Sequence, residues 1–232
     1  MNTYHAAQQY KWAKEYQHLT CDDFAFILYT DESLIKKDND SCSKLVFRRR
    51  IKNEKYTPKN IQGGWRAITN GLGCFIGNKL VLSFLLIERL KDVYIQLLEQ
   101  NLTPFIDVLH GTGIQNILFQ QDNATPHRAQ ATQDWLKTAA EHHRFTIMEL
   151  RPNLPDLNPM EPIWSILKAE LHRRYPDTMY LKCSESMVRE EVCKRLNKIS
   201  WDIGENVLNR LIDSMPNRIR AVLNTRGWYT EY

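Results

Sequence analysis

The 232-residue chain has no uninterrupted apolar run of about 18 residues, the length a membrane-spanning helix needs. Its opening stretch MNTYHAAQQYKWAKEY lacks the apolar block of a secretory signal. A membrane-spanning or exported protein is therefore not expected, and an intracellular one is. Cysteine is sparse: Cys21, Cys42, Cys74, Cys183 and Cys193 are scattered, odd in number, and form no C-x-x-C pair. That pattern argues against zinc or dithiol redox chemistry and for reduced thiols. Internal repeats and low-complexity tracts are missing, as is any linker long enough to separate domains, so residues 1–232 are expected to share one sizeable core.

What charge there is lies unevenly. The net of +4 is modest, but residues 36–66 hold ten basic side chains against three acidic ones, +7 in all, which leaves −3 for the rest. A basic segment on a mildly acidic body has the composition of a polyanion-binding arm, since phosphate contacts come mainly from Lys and Arg. A solvated basic loop is the other reading of the same residues.

The apolar run Phe24–Tyr29 reads as a strand buried on both faces, ending at Thr30-Asp31-Glu32-Ser33. Leu45–Phe47 reads as a short strand. Two paired strands joined at Gly77-Asn78 are expected between Trp65 and Glu88. Residues 91–109 have helical spacing with a bend near Pro104. Asn116–Gln121 is a second short apolar strand that runs into Asp122-Asn123, followed by a helix with Ala131, Trp135, Leu136 and Ala139 on its buried stripe. After a strand at Thr146–Leu150 comes a proline-rich loop. A helix should start from it with Asn158 as cap, Pro159 first and Glu161 third, burying Ile163, Leu167 and Leu171. Helices at about 185–198 and 203–225 complete the chain.

Strands alternating with helices imply an α/β fold with a mostly parallel or mixed sheet, whose chemistry gathers at the carboxyl ends of strands. Asp31 and Asp122 are placed there. Hard divalent cations prefer carboxylate oxygens, and two of them about 3.5–4 Å apart can clamp both oxygens of an in-line phosphoryl displacement. Each acid also has a structural reading: Asp31 as a turn residue, Asp122-Asn123 as an Asx turn, Glu161 as one half of a capping box with Asn158. Glu32 should point to the face opposite Asp31, and Asp156 lies in the proline-rich loop, so both are assigned structural roles.

The words around these acids add a second line of argument. Ile27-Leu28-Tyr29-Thr30-Asp31-Glu32-Ser33, Phe119-Gln120-Gln121-Asp122-Asn123-Ala124-Thr125-Pro126-His127 and Pro155-Asp156-Leu157-Asn158-Pro159-Met160-Glu161-Pro162-Ile163-Trp164 resemble, in order, the three acidic motifs of the Tc/mariner transposase superfamily. Tyr56-Thr57-Pro58-Lys59-Asn60, Gly73-Cys74-Phe75 and Ser214–Val222 are lesser echoes. The likeness runs from about Lys11 to Tyr232. Ninety residues separate Asp31 from Asp122, and 38 separate Asp122 from Glu161, a few more than the family's commonest spacing. Leu154 replaces a usual serine, and Pro162 directly follows the third acid.

The resemblance implies a ribonuclease H-like fold, a mixed central sheet flanked by helices. It also implies an enzyme that cleaves DNA at transposon ends and joins the freed 3′-hydroxyl to a target. Asp31, Asp122 and Glu161 would be its catalytic triad and hold two Mg2+ ions, with Mn2+ as substitute and no small-molecule cofactor. Arg48, Arg49, Arg50, Lys52, Lys55 and Lys59 fall where the family has a loop that reaches DNA or a partner subunit. Asn123 and His127 take secondary places beside the second acid. DNA is the implied partner, together with a homodimer, no membrane, and nuclear localisation. The helix-turn-helix region of larger members is not seen, so end recognition is expected to be weak. A catalytically inactive, transposase-derived DNA-binding or assembly protein is the alternative.

Overall fold

A computed structural model describes residues 3–36, 67–85, 94–122, 124, 126–149, 155–181 and 183–231. The expected strand at Leu45–Phe47 and all of the basic segment 36–66 except Lys36 lie outside these residues.

Helix α1 (Thr3–Tyr16) is followed by the single turn α2 (Cys21–Phe24), where Thr20 and Asp23 cap each other: Asp23 N donates to Thr20 Oγ1, and Thr20 N to Asp23 Oδ2. This cap takes Phe24 out of the expected strand. Strand β1 therefore starts at Ile27, and it runs to Lys36, well past Asp31. The extension is paired residue by residue with β2 (Ala67–Ile76), with Asp31 opposite Gly73 and Lys36 opposite Ala67. Asp31 is thus not at the end of its own strand. On its other flank, however, β4 (Leu118–Gln121) runs parallel to β1 and pairs Tyr29 with Gln120, so Asp31 sits just beyond the pairing there.

Strand β3 (Lys79–Leu85) returns antiparallel to β2 through the Gly77-Asn78 turn, and β5 (Thr146–Glu149) pairs parallel with β4. The order is β3-β2-β1-β4-β5, a mixed five-stranded sheet. Strand alternation separates two cores. Ile27, Tyr29 and Ile35 face Trp12, Phe24 and the helices that follow β5, whereas Leu28 packs with Leu72, Leu98, Ile106, Phe119 and Leu136.

The expected helix at 91–109 is broken earlier than Pro104. A turn of α3 (Tyr94–Leu97) passes into a π-helical stretch at Leu98–Leu102 before α4 (Thr103–Gly111). Pro104 lacks an N–H, so it is accommodated in the first turn of the new helix. Helix α5 (Gln130–His143) buries Thr132, Leu136 and Ala139, while Trp135 is only partly covered and Ala131 is exposed. Trp135 instead donates its indole N–H to Glu99 at 2.8 Å.

Helix α6 (Met160–Arg174) buries Met160, Ile163, Trp164, Leu167 and Leu171 against the sheet. Helix α7 (Glu185–Trp201) follows, and the last expected helix is two: α8 (Glu205–Asp213) and α9 (Met215–Asn224), divided before Pro216. The chain end closes back on α1. Gly227, at φ +82°, lies so near that a Cβ there would stand 1.9 Å from the Ala6 carbonyl oxygen, a position open only to glycine. Cys21, Cys74, Cys183 and Cys193 are free thiols. Among the described residues no helix is long and apolar enough to cross a membrane.

Candidate metal centre

Asp31 lies on the β1 face that looks toward α6 and is 9% exposed. Its Oδ2 is buried without a hydrogen-bond partner. Burial, reinforced by the negative charges of Glu161, Glu32 and Asp122, pushes its carboxyl up to about 8. Three acids near enough to raise a fourth constitute an electrostatic strain that a cation beside Asp31 would relieve. Hard oxygen donors, a buried orphan oxygen and mutual repulsion together fit a divalent metal ion.

Asp122 follows directly on β4 and is half-buried. Its Oδ1 accepts the Ala124 N–H at 2.8 Å, the Asx turn expected of an Asp-Asn pair, and also faces His127 Nδ1 at 2.6 Å. Burial alone would raise this carboxyl, but the bonds from His127 and Ala124 hold it below its ordinary value. The two aspartates are therefore poised differently, Asp31 inclined to hold a proton and Asp122 ionised.

Glu161 is the second residue of α6 and is exposed. The expected capping box does not form: Glu161 N bonds the Asn158 carbonyl, but among the described residues its carboxylate accepts no hydrogen bond. The helix begins one residue later than expected, with Pro159 rather than Asn158 at the cap position; Asn158, just before it, still accepts the Met160 N–H on Oδ1 at 3.1 Å, while its Nδ2 donates to the Thr30 carbonyl at 3.3 Å. One side chain thereby ties the start of α6 to the residue before Asp31. Gly73 sets how closely that start approaches. A Cβ on it would lie 2.4 Å from Met160 Cε and 2.9 Å from Trp164 Cζ2, so the bare backbone of β2 lets α6 settle beside Asp31.

His127, given only a secondary place by the sequence, is 1% exposed and touches two of the acids. Nδ1 also lies 2.9 Å from the Asp122 carbonyl, and Nε2 stands 3.3 Å from Glu32 Oε1, an ion pair whose angles fall short of a good hydrogen bond. Burial opposes its charge, yet the bonds to Asp122 and Glu32 carry its pKa up to about 10. Tyr94 stacks on the ring at 4.4 Å and donates its hydroxyl to Gln121 Oε1 at 2.9 Å. Glu32, read from sequence as structural, thus reaches the site from the sheet's other face. The signal was its adjacency to Asp31, which alternation alone interprets as pointing away. Glu32, Asp122 and His127 offer donor atoms within 4.8 Å of one another. Asn123, and the basic side chains Arg48, Arg49, Arg50, Lys52, Lys55 and Lys59, lie outside the described residues.

The family model described as DDE superfamily endonuclease matches residues 89–182, a span that contains Asp122 and Glu161. The Tcb1 transposase of Caenorhabditis briggsae is 25% identical over 228 residues, covering 96% of this chain and 76% of that protein. The Tc1 transposase of Caenorhabditis elegans is 26% identical over 228 residues, covering 95% and 76%. By sequence, then, the chain is similar to a DDE endonuclease domain over residues 89–182 and to Tc1-type transposases over nearly its whole length. Solved structures agree on the fold. The Mos1 transposase catalytic domain, solved with raltegravir and Mg, superposes with a TM-score of 0.66 at 16% identity, covering 100% of this chain and 99% of that one. A Mos1 paired-end complex with left transposon end gives 0.70 at 17% identity, covering 100% and 65%. The chain thus shares its ribonuclease H-like fold with the Mos1 transposase catalytic domain.

Proposed function

We propose that residues 1–232 act as one catalytic domain that nicks DNA at transposon ends and transfers the freed 3′-hydroxyl to a target, with Asp31, Asp122 and Glu161 as the catalytic carboxylates. The observation that carries this reading is the electrostatic convergence on Asp31, whose carboxyl is raised by the charges of both Asp122 and Glu161 although 90 and 129 residues of chain intervene. These carboxylates would hold two Mg2+ ions, or Mn2+ in their place. Such ions supply a lowered pKa for the attacking water or hydroxyl and stabilise the leaving oxygen of an in-line displacement. The protein's own part is positional. Asn158 and Gly73, which bring the start of α6 beside β1, would set Glu161 toward Asp31, and His127, bonded to Asp122, would orient that carboxylate. Because carboxylates bind the ions and a phosphodiester oxygen is exchanged for another, no covalent protein intermediate is required.

DNA is the proposed partner, engaged in part by Arg48, Arg49, Arg50, Lys52, Lys55 and Lys59, whose charge supplies phosphate neutralisation. A homodimer and a nuclear site of action complete the proposal, in line with the need to hold two transposon ends near chromosomal DNA. The test is Mg2+-dependent plasmid nicking by the wild-type chain against Asp122→Ala. The variant is expected to lose activity by on the order of 10²–10³-fold or more, as when one preorganised group that stabilises developing charge is removed. Equal nicking by both proteins would reject the assignment.

A further inference from the structure

Asp31 and Glu32 are consecutive on β1 and so leave the sheet on opposite faces. The Asp31 face carries α6 and Glu161. Across the sheet, Glu32 meets His127 at 3.3 Å, and His127 in turn meets Asp122 at 2.6 Å. The result is an unbroken chain, Glu32–His127–Asp122, that begins beside one metal-site acid and ends on another.

Each link of that chain is fixed from a further direction. The imidazole is 1% exposed, and Tyr94 stacks on its face at 4.4 Å with 30° between the planes. Tyr94 is itself anchored by its hydroxyl on Gln121, the last residue of β4 and the neighbour of Asp122. Glu32 is held by pairing of its backbone with Leu72. Among the described residues both contacts of the Asp122 carboxylate, from Ala124 N and from His127, fall on Oδ1. That leaves Oδ2 without a hydrogen bond among the described residues.

We propose that Glu32 is a positioning residue which, acting through His127, fixes the rotamer of Asp122 and so determines which of its oxygens faces the metal site. The proposal rests on the metal-holding role of Asp122 given above. A buried imidazole that has lost its partner at Nε2 is free to change tautomer or to turn about its χ2, and either movement breaks the bond at Nδ1. Asp122 would then keep only the Ala124 N–H and could rotate away from the geometry that a second ligand at Asp31 requires. Partners behind a metal-binding group commonly act in this way, and their loss weakens metal affinity about 10–100-fold.

The experiment is a calorimetric Mn2+ titration of the full chain in five forms: wild type, Glu32→Ala, Glu32→Gln, His127→Gln and the Glu32→Ala/His127→Gln double variant, with thermal unfolding to confirm that each is folded. Glu32→Ala should weaken Mn2+ binding about 10–100-fold. Glu32→Gln should keep most of the affinity, because an amide can both accept from and donate to Nε2. Combining Glu32→Ala with His127→Gln should weaken binding no more than the stronger single change, since both break one chain. Wild-type affinity in Glu32→Ala would overturn the proposal. So would a Glu32→Gln variant as weak as Glu32→Ala, which would make Glu32 itself a ligand, or additive losses in the double variant. A wild-type chain that takes up no Mn2+ would overturn the metal assignment instead, and the two failures are therefore separable.

Discussion

Asp31 concentrates the chemistry of the site in one titration. Its carboxyl sits at about 8 in the folded protein, far above the ordinary aspartate value, because it is buried and faces Glu161, Glu32 and Asp122. A raised carboxyl binds a proton more tightly folded than unfolded, so its ionisation costs stability progressively as pH climbs from near 4 to about 8. Metal binding must displace that proton. Mn2+ affinity should accordingly rise about tenfold per pH unit below 8 and level off above it. His127 keeps its charge until about 10 and does not add to the change over this range. Isothermal titration from about pH 6 to 9, with Asp31→Asn as control, checks this: a flat profile in the wild-type chain would show that Asp31 does not engage the ion. The residue scale is also where sequence reading was most and least informative. Asp31, Asp122 and Glu161 were legible because each stands in a run of specific neighbours. Glu32 was not, because alternation predicts only which face a side chain leaves by, and His127 reaches it from a segment 95 positions away.

Helix α6 shows how an element can be read correctly and its terminus misread. The buried stripe of Ile163, Leu167 and Leu171 follows from helical spacing, and Asn158 bonds the first helical N–H as its residue type suggests. The second bond of Asn158, to the Thr30 carbonyl, depends on the sheet and has no local signature. Asn158→Ala should cost about 0.5–2 kcal/mol for the lost capping bond. It should lower nicking by more than that destabilisation accounts for, because Glu161 loses its tie to β1; thermal unfolding and nicking measured on one preparation separate the two effects. If activity followed the folded fraction alone, Asn158 would serve the helix start and no more. Strand β1 was cut short at Asp31 by its sequence since polar residues follow, yet it extends to Lys36 because β2 offers it backbone partners, in register to Ile35 and shifted at Lys36. The break at Leu98–Leu102 and the division before Pro216 were shifted by a few residues for a related reason: proline constrains the chain around it, and tertiary packing selects where the irregularity falls.

Across the whole molecule, the chain end is fastened to the loop that leads into the helix of the third acid. Arg218 of α9 is buried and donates to the Asp156 carbonyl at 2.8 Å, while Thr230 donates its backbone N–H and hydroxyl to Asp156 Oδ2 at 3.3 and 2.8 Å. The structural role expected of Asp156 is of this kind, although its partners were not foreseeable from local sequence. Arg218→Met should leave that carbonyl unsatisfied and destabilise the fold by about 1–3 kcal/mol, read as a lower denaturant midpoint at unchanged slope; an unchanged midpoint would remove the fastening from the account. A mixed sheet was implied by the alternation of strands and helices, but its order was not, and one core was expected where two clusters pack; the antiparallel edge formed by β2 and β3 was set by the Gly77-Asn78 hairpin. The central claim spans all of these levels: acids from β1, from the end of β4 and from α6 share bound cations. A crystal structure of the chain in Mn2+, with anomalous scattering to locate the ions, tests it most directly. The account predicts manganese coordinated by oxygens of Asp31, Asp122 and Glu161 together, with His127 still bonded to Asp122. Manganese bound by Glu32, Asp122 and His127 while Asp31 and Glu161 stay unengaged, or no ordered ion at the sheet edge, would contradict it.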